Sequence, residues 1–250
     1  MYIIEQNFNF FYGDSFMNTN PPEILRELIK NNDCVRIAAL GSSNTQRRVM
    51  GMHWFDYIEL ACKFHFGKGS VLCCNMGVGG EKAGDLLNRF DRDCGRFEPH
   101  LAIITCGGND SFPDHNVSAQ EFYDNMHTLY DNFSALGTTV FFQTYYACDL
   151  ERLAPAYAEK LVEFMQIIRN VAKDCNTFVQ DNFVRWAPLY ENDKELYRSL
   201  MIDNLHVNEH GNAVIGLDWL DTFQLEAPDM MKKACIAAGF ARKTLDLWAK

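Results

Sequence analysis

The sequence predicts an α/β domain in which a parallel β-sheet is covered by helices on both faces. Short β-rich apolar runs alternate with longer amphipathic stretches, and no Pro/Gly/Ser-rich linker interrupts them. A chain of 250 residues is long enough for one well-buried domain. We therefore expect a single domain over residues 1–250, with an N-terminal extension over about residues 1–33 and a helical C-terminal tail over about residues 226–250.

The predicted elements follow one another in a regular order. Asn20, Pro21 and Pro22 resemble a capped helix start, because proline is favoured in the first turn of a helix. In the rest of the chain, the spacing of the apolar residues and the length of each apolar run distinguish strands from helices. The predicted strands are Val35 to Leu40, Val71 to Asn75, Leu101 to Cys106, Thr139 to Thr144 and a weaker one around Thr177 to Gln180, and the predicted helices are His53 to Phe66, Ala119 to Leu136, Tyr157 to Asp174 and one from near Asn208 through Trp219.

Composition excludes several classes of partner. A formal net charge of −10 and a pI near 5.1 oppose binding to nucleic acid or to anionic lipid, which recruit clustered Lys and Arg. No apolar run reaches the roughly 20 residues of a membrane span, and the first residues lack the pattern of a signal peptide. Nine scattered cysteines indicate reduced thiols, so we expect a cytoplasmic protein. The oligomeric state is not predicted.

Unusual residues follow three of the predicted strands. They are 41–45 (GSSNT), 75–80 (NMGVGG) and 107–110 (GGND), and a fourth segment, 203–206 (DNLH), precedes the helix that starts near Asn208. In an open parallel sheet, ligands bind outside the carboxyl ends of the strands. We therefore expect these four segments to meet in one site.

The four segments supply the groups that acyl transfer needs. The Ser43 hydroxyl is a weak nucleophile until a base removes its proton, and His206 is the candidate base. Asp203 can reach the other ring nitrogen of His206 and fix the tautomer. Gly80 allows a backbone N–H to approach the reacting carbonyl without a Cβ in the way, and Asn109 adds an amide donor. Each residue alone is more typical of a turn or a cap, but their joint order favours a site.

On these motifs the sequence resembles the SGNH or GDSL hydrolases from Val35 to Gly211. The resemblance implies a three-layer α/β/α flavodoxin-like fold around a parallel five-stranded sheet, and the hydrolysis of esters or thioesters. It implies no metal and no organic cofactor. The implied nucleophile is Ser43, the implied Asp and His are Asp203 and His206, and the implied oxyanion hole is formed by Ser43, Gly80 and Asn109.

Two departures and two alternatives accompany the resemblance. Ser42 stands where the family usually has Asp, which makes its hydroxyl a rival nucleophile, and Val207 replaces the proline that often follows the histidine. Ser15, in a GDSF segment, lies too far before Gly80 and Asn109 to match the family. Residues 206–210 (HVNEH) fit a zinc-peptidase pattern, but the chain offers few downstream residues for a third ligand.

The expected substrate is a small ester with a short acyl group, such as acetyl, on a carbohydrate or another small alcohol. A lysophospholipase or thioesterase type of acyl hydrolase is the first alternative. A ligand-binding module without turnover is the second, because sites are grafted on folds and can lose activity. Three aromatic residues in the loops expected to decide specificity, Phe112, Tyr145 and Tyr146, are either a substrate platform or ordinary packing residues.

Overall fold

The computed structural model describes residues 19–228 and 236–248, and the predicted fold class is confirmed there. Five parallel strands form the sheet: β1 (Val35–Gly41), β2 (Val71–Gly77), β3 (Leu101–Thr105), β4 (Thr139–Gln143) and β5 (Val179–Gln180). Their order across the sheet is β2-β1-β3-β4-β5. The chain leaves β1 for β2 on one side and then returns to β3 on the other. This reversal opens a crevice at the carboxyl end of the sheet, where open α/β folds bind ligands.

Helices flank the sheet. They are α1 (Pro21–Asn31), α2 (Trp54–Phe66), α3 (Ala83–Asn88), α4 (Ala119–Ala135), α5 (Pro155–Asp174), α6 (Asn182–Asn192), α7 (Lys194–Ser199), α8 (Glu209–Thr222) and α9 (Ile236–Trp248). A π-helical turn spans Asp91–Gly95, and short 3₁₀ turns span Pro113–His115 and Leu150–Arg152. None of the helices in residues 19–228 and 236–248 has the length and apolarity needed to cross a membrane.

Strand register brings the candidate loops to one level. Gly41 at the end of β1 pairs with Gly77 of β2 and with Thr105 of β3. The loops after these three strands therefore leave the sheet side by side. Gly77 also has to be a glycine, because a Cβ there would lie 2.1 Å from the backbone nitrogen of Gln46, in the loop after β1.

The core lies against both faces of the central strands, whose apolar residues are fully buried. Trp219 of α8 stacks on Trp54 of α2 with ring centroids 6.5 Å apart, and on Phe141 of β4 at 6.4 Å. Arg242 of α9 binds the buried Asp218 of α8 at 2.9 Å. In the described part of the C-terminal tail, α9 packs against α6 and α8.

The differences from prediction are local. Predicted strand and helix boundaries move by one to three residues, and β5 is reduced to Val179–Gln180. Helices α3, α6 and α7 were not predicted. The asparagine before α1 does not cap the helix backbone but binds Glu23 through its side chain at 3.2 Å. Ser15 lies outside the described residues.

Candidate active site

Ser43, His206 and Asp203 lie in a hydrogen-bonded line. The Ser43 hydroxyl donates to Nε2 of His206 at 2.8 Å. On the other side of the ring, Nδ1 lies 2.9 and 2.8 Å from the two carboxylate oxygens of Asp203. When the imidazole is neutral, this geometry favours the tautomer with its proton on Nδ1 and the lone pair of Nε2 toward the serine. The arrangement can remove the proton of the serine hydroxyl.

Asp203 is held by its own loop. Its Oδ1 accepts the backbone N–H groups of Leu205 at 2.8 Å and of His206 at 2.9 Å. Partial burial pushes the pKa of Asp203 upward, but these N–H donors and the imidazole outweigh it, so the pKa lies below its ordinary value. Asp203 is therefore a carboxylate at neutral pH, ready to stabilise an imidazolium on His206.

The loop that carries His206 ends at the start of α8. Asn208 caps that helix, because its Oδ1 accepts the backbone N–H groups of His210 at 2.9 Å and Gly211 at 3.1 Å. Its side-chain amide also donates to the carbonyl of Ser199 at 2.8 Å. The loop is thus anchored at both the helix and the segment before it.

Hydrogen bonds connect the turn that carries Ser43 (residues 41–45, the serine turn) to the loop that carries His206 (residues 203–206, the histidine loop). We call this group of contacts the brace. The Tyr146 hydroxyl lies 2.7 Å from Oδ1 of Asn44 and within hydrogen-bond distance of the carbonyl of Leu205. The amide of Asn44 also donates to that carbonyl at 3.4 Å. Asn44 directly follows Ser43, and Leu205 directly precedes His206. The brace therefore holds the two reacting side chains at a fixed separation.

Neither Asn44 nor Tyr146 was assigned this role from the sequence. Asn44 lies beside the candidate nucleophile, and Tyr146 follows the carboxyl end of β4, so their positions next to strand ends were the available signal. What the sequence does not show is that the two side chains meet. Tyr145 and Tyr146 are both buried, so the packing interpretation holds for them, whereas Phe112 is 40% exposed.

A second histidine, His53, contacts the main chain of the serine turn at Asn44. Its Nε2 donates to the carbonyl of Asn44 at 3.3 Å, and Trp54 Nε1 donates to the same oxygen at 3.0 Å. The other ring nitrogen, Nδ1, accepts the backbone N–H of Phe55 at 3.3 Å and lies 3.4 Å from the side-chain amide of Asn75. Burial lowers the pKa of His53 to about 4, with Arg47 adding to the effect, so this ring is neutral at physiological pH.

The two candidate oxyanion donors outside the serine turn, Gly80 and Asn109, lie in the loops after β2 and β3. Asn109 donates one amide hydrogen to the carbonyl of Glu81 at 2.8 Å, which leaves its second hydrogen for a ligand. Asp110 accepts the backbone N–H of Ala83 at 2.8 Å and so ties the loop after β3 to the start of α3. A Cβ at Gly80 would meet no atom of the described residues within 4 Å, and the φ of +87° favours glycine at this position.

The hydroxyls of Ser43 and Ser42 have different hydrogen-bond partners. The hydroxyl of Ser42 lies 2.8 Å from the hydroxyl of Tyr145, and Ser42 is only 1% exposed. His206 binds Ser43 instead. The zinc-peptidase pattern also conflicts with the geometry, because both ring nitrogens of His206 are already engaged by Ser43 and Asp203. Within the described residues, no group of three or more His, Cys, Asp or Glu side chains is arranged to hold a metal.

A small pocket opens beside the serine. It encloses about 260 Å³, its open mouth included, and has mixed polar and apolar walls. Most of its walls come from the loop after β1 and from the loop that carries His206. The lining side chains are Ser43, Asn44, Gln46, Arg48, Val49, His53, Ile202, His206, Val207 and Asn212.

The depressed pKa of His53 predicts a pH-dependent stability. Below pH 6.5 the unfolded chain takes up a proton at His53 that the folded protein does not accept until about pH 4. The stability that His53 contributes is therefore present above pH 6.5 and lost as the pH falls through this window. As the pH falls from 6.5 toward 4, the free energy of unfolding of the wild type should decrease relative to that of His53→Gln. The decrease should be up to about 1.4 kcal/mol per pH unit. Denaturant unfolding at pH 7 and pH 5 measures the difference, and an unchanged difference would contradict the assignment.

Comparison with known structures supports the fold. The acetylxylan esterase of Geobacillus stearothermophilus has a TM-score of 0.65 at 18% identity, covering 77% of this chain and 95% of that one. The acetyl xylan esterase AlAXEase gives 0.65 at 19% identity, with coverage of 75% and 98%. An α/β hydrolase enzyme from the metagenome of Lake Arreo, Spain, gives 0.64 at 16%, with coverage of 76% and 95%. At these identities the likeness concerns the fold alone.

Sequence comparison identifies the family. No protein with a curated description matches the chain. The sequence model of the GDSL-like lipase/acylhydrolase family matches residues 39–214, a range that contains all four of the candidate segments. This match confirms the resemblance inferred from the motifs. The chain belongs to the GDSL-like lipase/acylhydrolase family.

Proposed function

We propose that this protein is a serine hydrolase that cleaves carboxylic esters through an acyl-serine intermediate. The observation that carries the proposal is the 2.8 Å contact between the Ser43 hydroxyl and Nε2 of His206, with Asp203 on the opposite ring nitrogen. Membership of an acylhydrolase family supports the same reaction class. The proposed catalytic residues are Ser43, His206 and Asp203.

Acylation begins with proton transfer. As the Ser43 oxygen attacks the ester carbonyl carbon, its proton moves to Nε2 of His206, and the carbonyl electron pair moves onto oxygen. The imidazolium that forms lies against the carboxylate of Asp203, which stabilises it without taking the proton. The low pKa of Asp203 suits this role, because the carboxylate stays charged at neutral pH.

The negative oxygen of the tetrahedral intermediate needs hydrogen-bond donors. We assign this oxyanion hole to the backbone N–H groups of Ser43 and Gly80 and to the free amide hydrogen of Asn109. Donors of this kind each stabilise a transition state by roughly 3 to 4 kcal/mol. Orienting Asn109 through the carbonyl of Glu81 means that little reorganisation is required when charge develops.

The intermediate collapses when His206 returns its proton to the departing alcohol oxygen, which leaves the acyl group on Ser43. Water then enters, His206 removes one of its protons, and the resulting hydroxide equivalent attacks the acyl carbon. As the acyl-oxygen bond to Ser43 breaks, His206 returns that proton to the Ser43 oxygen, which releases the carboxylic acid and restores the serine hydroxyl. Each step uses side chains already in place, and the proposed cycle requires no metal and no organic cofactor.

For the substrate, we propose a short acyl group, such as acetyl, on a carbohydrate or another small alcohol. The pocket is small, and half-buried or exposed polar side chains such as Gln46 and Arg48 line it, which suits a hydroxyl-rich alcohol. A lysophospholipase or thioesterase activity is the second candidate. The exposed side chains of Met50 and Ile202 favour it, because they offer apolar surface near the pocket.

Three further expectations remain proposals. We propose a single domain over residues 1–250, supported by the packing of α9 on α6 and α8. A cytoplasmic location is supported by the cysteines within the described residues, which are all free thiols. The acidic net charge of −10 supports the absence of a nucleic-acid partner.

Removing the proposed nucleophile should abolish turnover without unfolding the protein. For Ser43→Ala, kcat on p-nitrophenyl acetate should fall at least about 1,000-fold, because no other hydroxyl among the described residues is hydrogen-bonded to His206. Ser42→Ala is the matched control. It removes one buried hydroxyl from Tyr145 and should cost about 1 to 2 kcal/mol of stability while kcat stays within about tenfold. Wild-type turnover by a folded Ser43→Ala variant would refute the proposal.

The acyl preference is tested with p-nitrophenyl esters of increasing chain length and with acetylated sugars. We expect kcat/KM to be highest for acetyl and to fall at least about tenfold by octanoyl, because the pocket is small. His206→Ala, assayed in parallel, reports the background that does not depend on the site. A rate that rises with chain length would instead favour the lysophospholipase or thioesterase candidate.

A further inference from the structure

Arg89, which follows α3, has a buried guanidinium, with its side chain only 6% exposed. Nη2 donates to the main-chain carbonyls of Gly41 at 3.2 Å and Met76 at 2.8 Å, near the carboxyl ends of β1 and β2. Nε binds Glu81 and Nη1 binds Asp93, each at 2.7 Å. A buried cation is tolerated only with partners of this kind. Arg89 therefore joins two strand ends to two carboxylates.

Glu81 is the partner of Arg89 that belongs to the site. It directly follows Gly80, one proposed oxyanion donor, and its main-chain carbonyl accepts the side-chain amide of Asn109, the other donor, at 2.8 Å. Its carboxylate binds Arg89 Nε at 2.7 Å. A single residue thus connects both proposed donors to a guanidinium that is fixed on the strand carrying the serine turn.

We propose that Glu81, held by Arg89, is a positioning residue that fixes the Gly80 N–H and the Asn109 amide relative to Ser43. This inference rests on the proposed esterase function. Donors act on an oxyanion only within about 2.7 to 3.1 Å of its position, and a displacement of about 1 Å can cost a rate 100-fold. The ion pair supplies rigidity to a loop whose Gly80 has φ at +87°.

The chain contains its own control for this role. Asp93 binds the same guanidinium at the same 2.7 Å, and the side chains of Glu81 and Asp93 are 21% and 22% exposed. Asp93 lies in the π-helical turn Asp91–Gly95, and its side-chain hydrogen bonds are to Arg89 and Arg92 rather than to the residues of the oxyanion hole. Loss of either carboxylate leaves Arg89 with one acidic partner fewer. Only the loss of Glu81 releases the loop that follows Gly80.

The test compares Glu81→Ala with Asp93→Ala on p-nitrophenyl acetate. Both variants should lower the melting temperature to a similar degree. Glu81→Ala should lower kcat by about 10- to 100-fold while KM changes less than about threefold, and Asp93→Ala should keep kcat within about twofold. Glu81→Gln retains an acceptor for Arg89 and should recover most of the lost kcat. The pH midpoint of kcat/KM should be the same in all variants, because Ser43, His206 and Asp203 are untouched.

Three results would overturn the inference while leaving the esterase proposal intact: wild-type kcat in Glu81→Ala, equal losses of kcat in the two alanine variants, or no recovery in Glu81→Gln. A shift of the pH midpoint in Glu81→Ala would place the effect on the histidine and would also overturn it. If the wild-type protein and Ser43→Ala turn over the ester equally, the proposed function itself fails, and the inference fails with it.

Discussion

A single hydrogen bond, from the Ser43 hydroxyl to Nε2 of His206, joins segments 163 residues apart in the sequence. Neither residue lies on a long regular element, so the contact depends on what anchors the two loops. The serine turn begins at Gly41, the last residue of β1, which pairs with Gly77 of β2 and with Thr105 of β3. The histidine loop is held by the cap of α8 at Asn208. Tyr146 and Asn44 then bridge the two loops directly.

Environment gives two histidines of the same pocket different properties. His206 has a carboxylate on one nitrogen and a hydroxyl on the other, so it can accept a proton and stabilise the resulting charge. His53 is surrounded by a carbonyl and N–H donors and is buried, so the pKa of its ring falls to about 4. Burial without an acidic partner makes His53 a neutral support for the main chain of Asn44. The chemistry of each ring is decided by its neighbours rather than by residue type.

The sequence was sufficient to predict the sheet and the three side chains in the line from Ser43 to Asp203. Continuous apolar runs are typical of strands buried on both faces, and the polar segments after them mark the ligand-binding edge. Helix α6 was missed because Pro188 interrupts its apolar spacing, although Asp181 caps it through a hydrogen bond to the backbone of Val184 at 3.2 Å. Helix α7 was also missed, although Asp193 caps it, because it is only 6 residues long.

Other features were not predictable because they involve main-chain atoms or distant pairs. Arg89 binds the carbonyls of Gly41 and Met76. Because every residue has a main-chain carbonyl, residue types do not indicate which carbonyls will bind a side chain. The contact of Tyr146 with Leu205 depends on where two loops meet after folding. The positive φ of Gly80 favours glycine, and it depends on how the loop after β2 folds, which motif spacing does not show.

The most direct test of the account is covalent labelling of the intact protein with a fluorophosphonate, followed by peptide mapping by mass spectrometry. An activated serine hydroxyl reacts with this reagent, whereas an ordinary one does not. The account predicts a single adduct on Ser43, with labelling that is lost in a folded His206→Ala variant. An adduct on Ser42, or a folded protein that binds ester ligands and remains unlabelled, would contradict it.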